Sequence, residues 1–520
     1  MGARPACRLA THPDLAYTST AWESLRVTGT SIEPAWPTCD DDGGTCTGVR
    51  ADGFNRCLTH LTPEQLNEAL SRLRPDADLD LRGTTVSEEL LRRILEAVHD
   101  DDGHPTVGQA RFDSVTFSGK ASFNWAYFNA AAWFDGAVFA GDVTFDSVTF
   151  TDRAWFRGAL FAGEARFDMT SFGYTASFDK AIFKTVKSLS LVSARQVEFR
   201  GTEFTRRVVI EASADYLSCI ETRFESGVVL RLRHVDADFE RAVFGAPSAI
   251  TAANEPFFGY ADSVEQKLGL PTRKSPRPML ESLQGVDVTD LVITDVDLGR
   301  CRFSGAHHLD KLRLEGNCTF ARTPKRTHFG WTWPPVWRWT RREVLAEECE
   351  RHAAGPRSAG WPSSPAGTRH LNAKRVAALY RDLRKAQEDS KNEPGAADFY
   401  YGEMEMRRTD PAAGRAERLI LFLYWLTSGY GLRATRALSC LAILIAAAAV
   451  VFHRVGFSPP APGLGASLLY AAQSAVSLDS KLAGLTFLTW QGETLRLTMR
   501  LLGPLLLGLA LLAVRNRVKR

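Results

Sequence analysis

Residues 110–183 read ARFDSVTFSGKASFNWAYFNAAAWFDGAVFAGDVTFDSVTFTDRAWFRGALFAGEARFDMTSFGYTASFDKAIF. Fourteen phenylalanines recur in this stretch at alternating separations of five and six: Phe112, Phe117, Phe123, Phe128, Phe134, Phe139, Phe145, Phe150, Phe156, Phe161, Phe167, Phe172, Phe178 and Phe183. Two positions before each stands a small or β-branched residue, as with Ala121, Ala132, Val143, Ala154 and Ala176. A helix repeats its apolar positions three and four apart, and a half-buried strand two apart. Neither period explains this spacing. The pattern predicts stacked coils, with one large and one small side chain turned inward at every short repeat. That is a solenoid held by ladders of like residues, a fold that displays surface more than it hosts chemistry.

Working outward, the rhythm falters over 184–196 and resumes loosely at Phe199, Phe204, Phe224, Phe239 and Phe244. A Pro-rich stretch, 245–281, is expected to be a loop excursion. A strict five-residue register follows at Val288, Ile293, Leu298 and Phe303, with Val286, Leu291, Val296 and Cys301 two positions before them. Leu312, Leu314 and Phe320 are expected to close the last coil. On the N-terminal side, residues 1–62 read as an irregular head. Residues 63–109 read as a helical cap: Thr62 precedes Pro63, and 86–98 is amphipathic.

The repeat resembles the pentapeptide-repeat proteins, whose consensus is a small residue, a polar one, Leu or Phe, and two further polar positions. The resemblance implies a mainly β fold over 110–321, a right-handed quadrilateral β-helix with both the Leu or Phe and the small residue inside. Residues 286–306 fit the plain five-residue form. Residues 110–183 fit a Phe-rich variant with one extra residue in every second repeat. The extra residue should bulge at alternate corners, giving about 22 residues per coil. About eight coils, ~4.8 Å apart, would make a rod of about 40 Å.

Two C-terminal stretches, 437–452 and 501–514, contain no charged residue. Extended through 432–436, and back to Leu495 with Arg496 and Arg500 snorkelling outward, they approach the ~20 residues that cross a bilayer. Arg407, Arg408, Arg415, Arg418, Arg433 and Arg436 precede the first stretch, and Arg515, Arg517, Lys519 and Arg520 follow the second. The connector between them holds only Arg454 and Lys481 as basic residues. The positive-inside rule then places both ends in the cytoplasm. Residues 432–520 are expected to form a C-terminal two-helix transmembrane hairpin in a bacterial inner membrane. Residues 322–431 are expected to be a Trp-rich, α-helical linker region with an interfacial helix. The segments YRDLRKAQEDSKNEPGAADFYYGEMEMRR and YWLTSGYGLRATRAL resemble those of an actinobacterial-type subfamily that carries pentapeptide repeats and ends in two membrane helices. That resemblance implies architecture rather than an activity.

Cys39, Cys46, Cys57 and His60 form Cys-x6-Cys-x10-Cys-x2-His, a donor set suited to tetrahedral structural zinc. Between the two apolar stretches, 466–478 could form a re-entrant helix, a layout similar to the pore module of bacterial ion channels. Ser474, Ser477 and Asp479 are then the pore-lining candidates, although 479–484 reads DSKLAG and not as a carbonyl filter. The tempting TSGYG at 427–431 precedes the first span, so Tyr424, Trp425 and Tyr430 are expected to form an aromatic belt at the membrane interface instead.

Other classes are disfavoured. The net charge of +3 does not point to nucleic acid. Residues 111–183 carry eight acids against six bases, which argues against an acidic DNA mimic. Nine cysteines scattered over 520 residues, with no signal-like apolar start and no Ser or Thr at Ala6 for myristoylation of Gly2, suit a reducing cytoplasm. No nucleophile elbow, phosphate loop or paired metal histidines appear, so no enzyme is expected. His307 and His308 are expected to lie one inside and one outside the coil. Glu403 and Glu405 are expected to pair with Arg407 and Arg408 on a helix surface. The expected partners are membrane lipids, an unidentified protein held by the solenoid, and further copies of the chain in a homo-oligomer.

Overall fold

A computed structural model describes residues 35–40, 43, 45–193, 195–257, 269–270, 275–324, 341–354, 361, 370–458, 462–476 and 488–518. The tryptophans at 331–339 lie outside the described residues, as do Ser477 and Asp479.

All fourteen phenylalanines are at most 1% exposed, and the small residues before them are equally buried. Parallel strands stack them in register. Phe117, Phe139, Phe161 and Phe183 form one ladder, and Phe128, Phe150 and Phe172 another. The step is therefore 22 residues per coil, as the spacing predicts. Rings in a ladder lie nearly parallel, for example Phe123 over Phe145 at 4.9 Å and 3°, while neighbouring ladders meet edge to face, for example Phe134 and Phe145 at 5.7 Å and 87°. Rings in the middle of the run, such as Phe145, thus have both stacked and edge partners, the two arrangements an aromatic quadrupole favours.

The alternation of five and six reflects two kinds of corner. At the five-residue steps the chain closes a hydrogen-bonded turn, Val115 N–H to Phe112 O and Ala126 N–H to Phe123 O. The third residue of each such turn is left-handed: Ser114, Trp125, Gly136, Ser147, Gly158, Met169 and Lys180 all have φ between 56° and 66°. That is the requirement of a type II turn. The six-residue steps carry the extra residue in a wider bend, such as 118–120. There Gly119, Gly141 and Gly163 stack so closely that a Cβ on Gly163 would lie 2.4 Å from the carbonyl carbon and oxygen of Gly141. Gly163→Ala should therefore cost about 1–3 kcal/mol by forcing the backbone apart, read as faster hydrogen exchange at that corner.

From Lys184 onward the coil changes. The stretch expected to falter is a full rung: Ser188–Ser193 is a six-residue strand, and Val208–Ser213 and Val228–Arg233 stack on it. Leu189 and Leu191, two apart, fill the core there. An ordinary strand period replaces the two short strands and the tight turn of earlier coils, so four strands per coil become three, and the step falls to 21 and then 20 residues. The excursion is narrower than 245–281, because Ser248–Ala252 and Met279–Ser282 are rungs of the sheet. The solenoid makes about nine turns. It also begins before residue 110. Ala77–Asp80 pairs with Thr106–Arg111, and Thr85–Val86 with Thr116–Phe117, so the first rungs lie within the segment expected as a cap.

Helices close the ends. Helix α1 (Pro63–Ser71) starts in a capping box between Thr62 and Gln65. Helix α2 (Glu88–Glu96), capped by Ser87, sets Leu90, Leu91, Ile94 and Leu95 into the same core as Phe112. After the last coil, Ala321–Arg322 pairs antiparallel with Glu343–Val344, followed by α3 (Ala346–Ala353). The hairpin of α4 (Ala373–Asp389) and α5 (Glu393–Thr409) then presses Tyr380, Leu383 and Phe399 onto the solenoid core, with Phe399 edge-on to Phe320 at 4.9 Å. The region expected only as a linker is thus the C-terminal cap, which a parallel sheet with an open edge needs.

Among the described residues, four α-helices follow: α6 (Arg415–Ser428), α7 (Ala434–Val451), α8 (Leu464–Ala475) and α9 (Trp490–Val518). Ala434–Gly456 and Trp490–Arg515, 23 and 26 residues, are long and apolar enough to cross a membrane.

Candidate metal centre, buried charges and apolar hairpin

The head is irregular, but its cysteines converge. A bridge between Thr38 and Val49, with Cys39 N–H on Gly48 O at 2.8 Å, brings Cys39 beside Cys46. Cys57 leads directly into the single 3-10 turn Leu58–His60, which places the imidazole three residues on. Gly48 is required at this crossing: a Cβ would sit 2.9 Å from Thr84 Oγ1 and 3.1 Å from Cys57 Cβ.

The ligand atoms of Cys39, Cys46, Cys57 and His60 all lie within 4.8 Å of one another. Cys46 Sγ is 3.8 Å from Cys57 Sγ, and His60 Nδ1 is 3.4 Å from Cys39 Sγ and 3.5 Å from Cys57 Sγ. A tetrahedral ion bound at ~2.3 Å to sulfur and ~2.0 Å to nitrogen would hold S···S near about 3.8 Å and S···N near about 3.5 Å. These three separations match edges of such a tetrahedron. Gly48 N–H and Cys57 N–H point at Cys46 Sγ and Cys39 Sγ, the kind of outer support metal thiolates receive. Burial, reinforced by the adjacent thiols, pushes Cys57 up to about 12, and burial also raises Cys46. Crowded thiols keep their protons unless a cation replaces them. The cluster can hold a metal ion, and four protein ligands would leave no open position.

This knuckle is docked on the solenoid. Val49 N–H bonds Arg82 O at 2.8 Å, Thr47 Oγ1 bonds Gly83 O at 3.1 Å, and Thr59 Oγ1 bonds Thr85 O at 2.6 Å.

A second cluster went unseen in the sequence. In α3, Glu348 is fully buried and pairs with Arg342 at 2.5 Å, itself 4% exposed. Tyr380 Oη donates to the same carboxylate and accepts from Leu345 N–H at 3.0 Å. Burial alone would raise the Glu348 carboxyl, but Arg342 and His352 outweigh it and hold it down at about 2. Its neighbour Glu347 is also buried and accepts the Phe303 N–H of the last coil at 2.5 Å. No cation pairs with it among the described residues, and burial lifts it to about 7. A raised carboxyl favours the protonated fold. Glu347 therefore contributes most below its ordinary value of about 4.3, and that contribution is lost as pH rises through 7. Glu347→Gln should raise the melting temperature at pH 8 and leave it nearly unchanged at pH 5. Nothing in TRREVLAEECER marks these acids as buried.

Several expectations need correction. Glu403 is 3% exposed and lies between Arg381 and Arg384 at 3.0 and 3.1 Å, not on a surface with Arg407. Glu405 does pair with Arg408, at 2.7 Å, but buried beside Tyr430. His307 and His308 are both exposed, and His308 turns left-handed and meets Asp287 at 3.0 Å. Trp425 and Tyr430 do not form an outward belt. They pack on Tyr401 and Met404 of α5, with Trp425 Nε1–H on Tyr401 Oη at 3.0 Å. The TSGYG run is a helix stop: Gly429, Tyr430 and Gly431 are successively left-handed and end α6.

In the apolar hairpin, α8 folds back against both α7 and α9. Tyr470, Ala471 and Ala475 pack with Ala448, Ala449, Phe452 and Met499. A Cβ on Gly503 of α9 would lie 2.0 Å from Ala475 O, and one on Gly492 would lie 2.1 Å from Gly456 O. These two glycines let the helices touch. Ser474 is fully buried, and its Oγ has no hydrogen bond among the described residues. Arg496 pairs with Glu493 at 2.6 Å.

Residues 145–187 match the family described as pentapeptide repeats (9 copies). No curated protein and no solved structure matches the chain.

Proposed function

We propose that this pentapeptide-repeat solenoid is a non-enzymatic interaction scaffold, anchored by its C-terminal hairpin to the inner face of a bacterial membrane. The observation that carries this reading is the packing that joins the solenoid to its helical cap and the cap to α6, the helix that leads into the hairpin. One core runs from Leu79 through the phenylalanine ladders to Tyr380 and Phe399, and α5 then holds α6 through Tyr401 and Trp425. A rod fixed rigidly to its anchor presents its faces at a set distance from the bilayer. Both termini are cytoplasmic in this reading, and the solenoid's partner is a protein.

Ion flux through the full-length protein in liposomes tests it, with a control in which 466–484 is replaced by a flexible linker. The scaffold reading expects equal, background flux from both. Flux that vanishes in the control overturns it in favour of an oligomeric channel gated by the solenoid. One observation favours that second reading: α8 packs on both apolar helices, with Ala475 close against Gly503 of α9, as a re-entrant helix would. In a channel, Ser474→Ala should change conductance while assembly persists.

The metal of the head is zinc in a structural role. Purified protein should carry about one zinc per chain. Cys57→Ser should lose it and expose residues 35–60 to proteolysis, with the solenoid's exchange protection retained. Protein that stays metal-free after growth in zinc, yet keeps the head protected, would sink the assignment.

A further inference from the structure

Helix α6 presents an arrangement that packing within the chain does not account for. Leu421, Trp425 and Ser428 form its buried side, against α5. Its opposite side is also apolar: Leu419 is 58% exposed, Ile420 66% and Leu423 48%. A helix apolar on both sides normally sits inside a core or in lipid. Fourteen residues span only about 21 Å, too short to cross the ~30 Å hydrocarbon layer. One side is also fastened to the soluble cap, so α6 cannot be a span. The first apolar span begins at Ala434, immediately after the left-handed turn at Gly429–Gly431. At the start of α6, Arg415 and Arg418 make no ion pair among the described residues.

We propose that α6 is an in-plane membrane helix, its outer apolar stripe sunk into one leaflet and Arg415 and Arg418 set on the phosphates of anionic phospholipids. The inference rests on the membrane-anchoring reading above. Continuity with the span fixes the depth of α6 at the bilayer surface. Uncompensated arginines beside an apolar stripe match the chemistry of an anionic lipid interface. The inner side explains why the position is rigid. Trp425 meets the guanidinium of Arg408 at 4.8 Å and that of Arg436 at 5.3 Å, tying cap, in-plane helix and span together. The solenoid would then be oriented by the membrane surface, and not merely tethered to it.

The test uses the full-length protein in vesicles of phosphatidylcholine and phosphatidylglycerol at three to one. The photo-crosslinker p-benzoylphenylalanine is incorporated at Ile420 or, as a report on anchoring, at Leu501 of α9, which is 73% exposed. Phospholipid adducts are read by mass spectrometry. Adducts at both positions are expected, with phosphatidylglycerol at Ile420 about twofold above its mole share. That excess should fall to the mole share in the Arg415→Gln/Arg418→Gln variant. Adducts at Leu501 but none at Ile420 overturn the in-plane helix while anchoring stands. A crosslink from Ile420 to a second copy of the chain overturns it in favour of a dimer contact. Lipid adducts at Ile420 with no preference between the two lipids overturn the role of the arginines. No adduct at either position removes the anchoring reading as well.

Discussion

Phe156→Ala is expected to lower the opening free energy of the central coils by about 3–5 kcal/mol. Phe156 is fully buried and stacked between Phe134 at 4.8 Å and Phe178 at 5.0 Å, with Phe145 and Phe167 edge-on at 5.6 and 5.9 Å. Truncation removes partners above, below and on both flanks. The 22-residue coil cannot collapse onto the gap, because its rungs are held apart by continuous parallel hydrogen bonding. Native-state hydrogen exchange on the full-length protein checks this. Protection should fall over 132–183 and much less at 286–320, since stability in a stacked array is largely a nearest-neighbour property. Phe156→Leu, which keeps most of the volume, should cost less than about 1.5 kcal/mol. Equal losses across the whole rod would mean that the coils unfold as one unit, and the ladder would not be the local source of stability.

Glu348→Gln should be nearly as damaging, at about 3–5 kcal/mol, for an electrostatic reason. It leaves the Arg342 guanidinium buried without its counter-charge, while Tyr380 keeps an acceptor of lower strength. The loss should appear as release of the α4–α5 cap, with exchange rising over 373–409 and along the last coil. Replacing both partners, Arg342→Met with Glu348→Leu, should recover much of it, because a well-packed apolar pair carries no desolvation cost. The sign with pH follows from the depressed carboxyl. Its contribution is fully present above the ordinary glutamate range and is lost as pH falls toward 2. Acid should therefore loosen the cap in the native chain, and this acid limb should be missing from Glu348→Gln. A double variant as unstable as the single one would show that the site matters for its shape and not for its charge.

The two buried glutamates of α3 show how far sequence reasoning could reach. Glu347 and Glu348 stand in a run with the composition of a solvated helix, and only the fold turns both inward. One meets Arg342, whereas the other meets the backbone edge of the last coil. The cap formed by Tyr380 and Phe399 was hidden for the same reason, since it depends on a surface made more than sixty residues earlier in the chain. The three-stranded coils after Lys184 are not legible in the sequence because, although one phenylalanine ladder continues, the alternation of five and six between phenylalanines breaks there. The Leu189 and Leu191 alternation that replaces it is only one strand long.

Where one residue type repeats in register, sequence alone was sufficient. A phenylalanine every fifth and sixth position has few solutions that bury all of them, and stacking each on its equivalent 22 residues later is the one observed. Covalent proximity did the same for Cys57 and His60, and simple length and apolarity marked the two candidate spans. Tertiary structure alone decided how Cys39 and Cys46 come within reach of that pair, which acids are buried, how the open sheet edge is capped, and that α6 turns one apolar side to the protein and the other outward. Repeats and helical faces are local periodicities that a one-dimensional string records. Burial of a charge and closure of an edge depend on which distant surface arrives opposite, and a string does not record that.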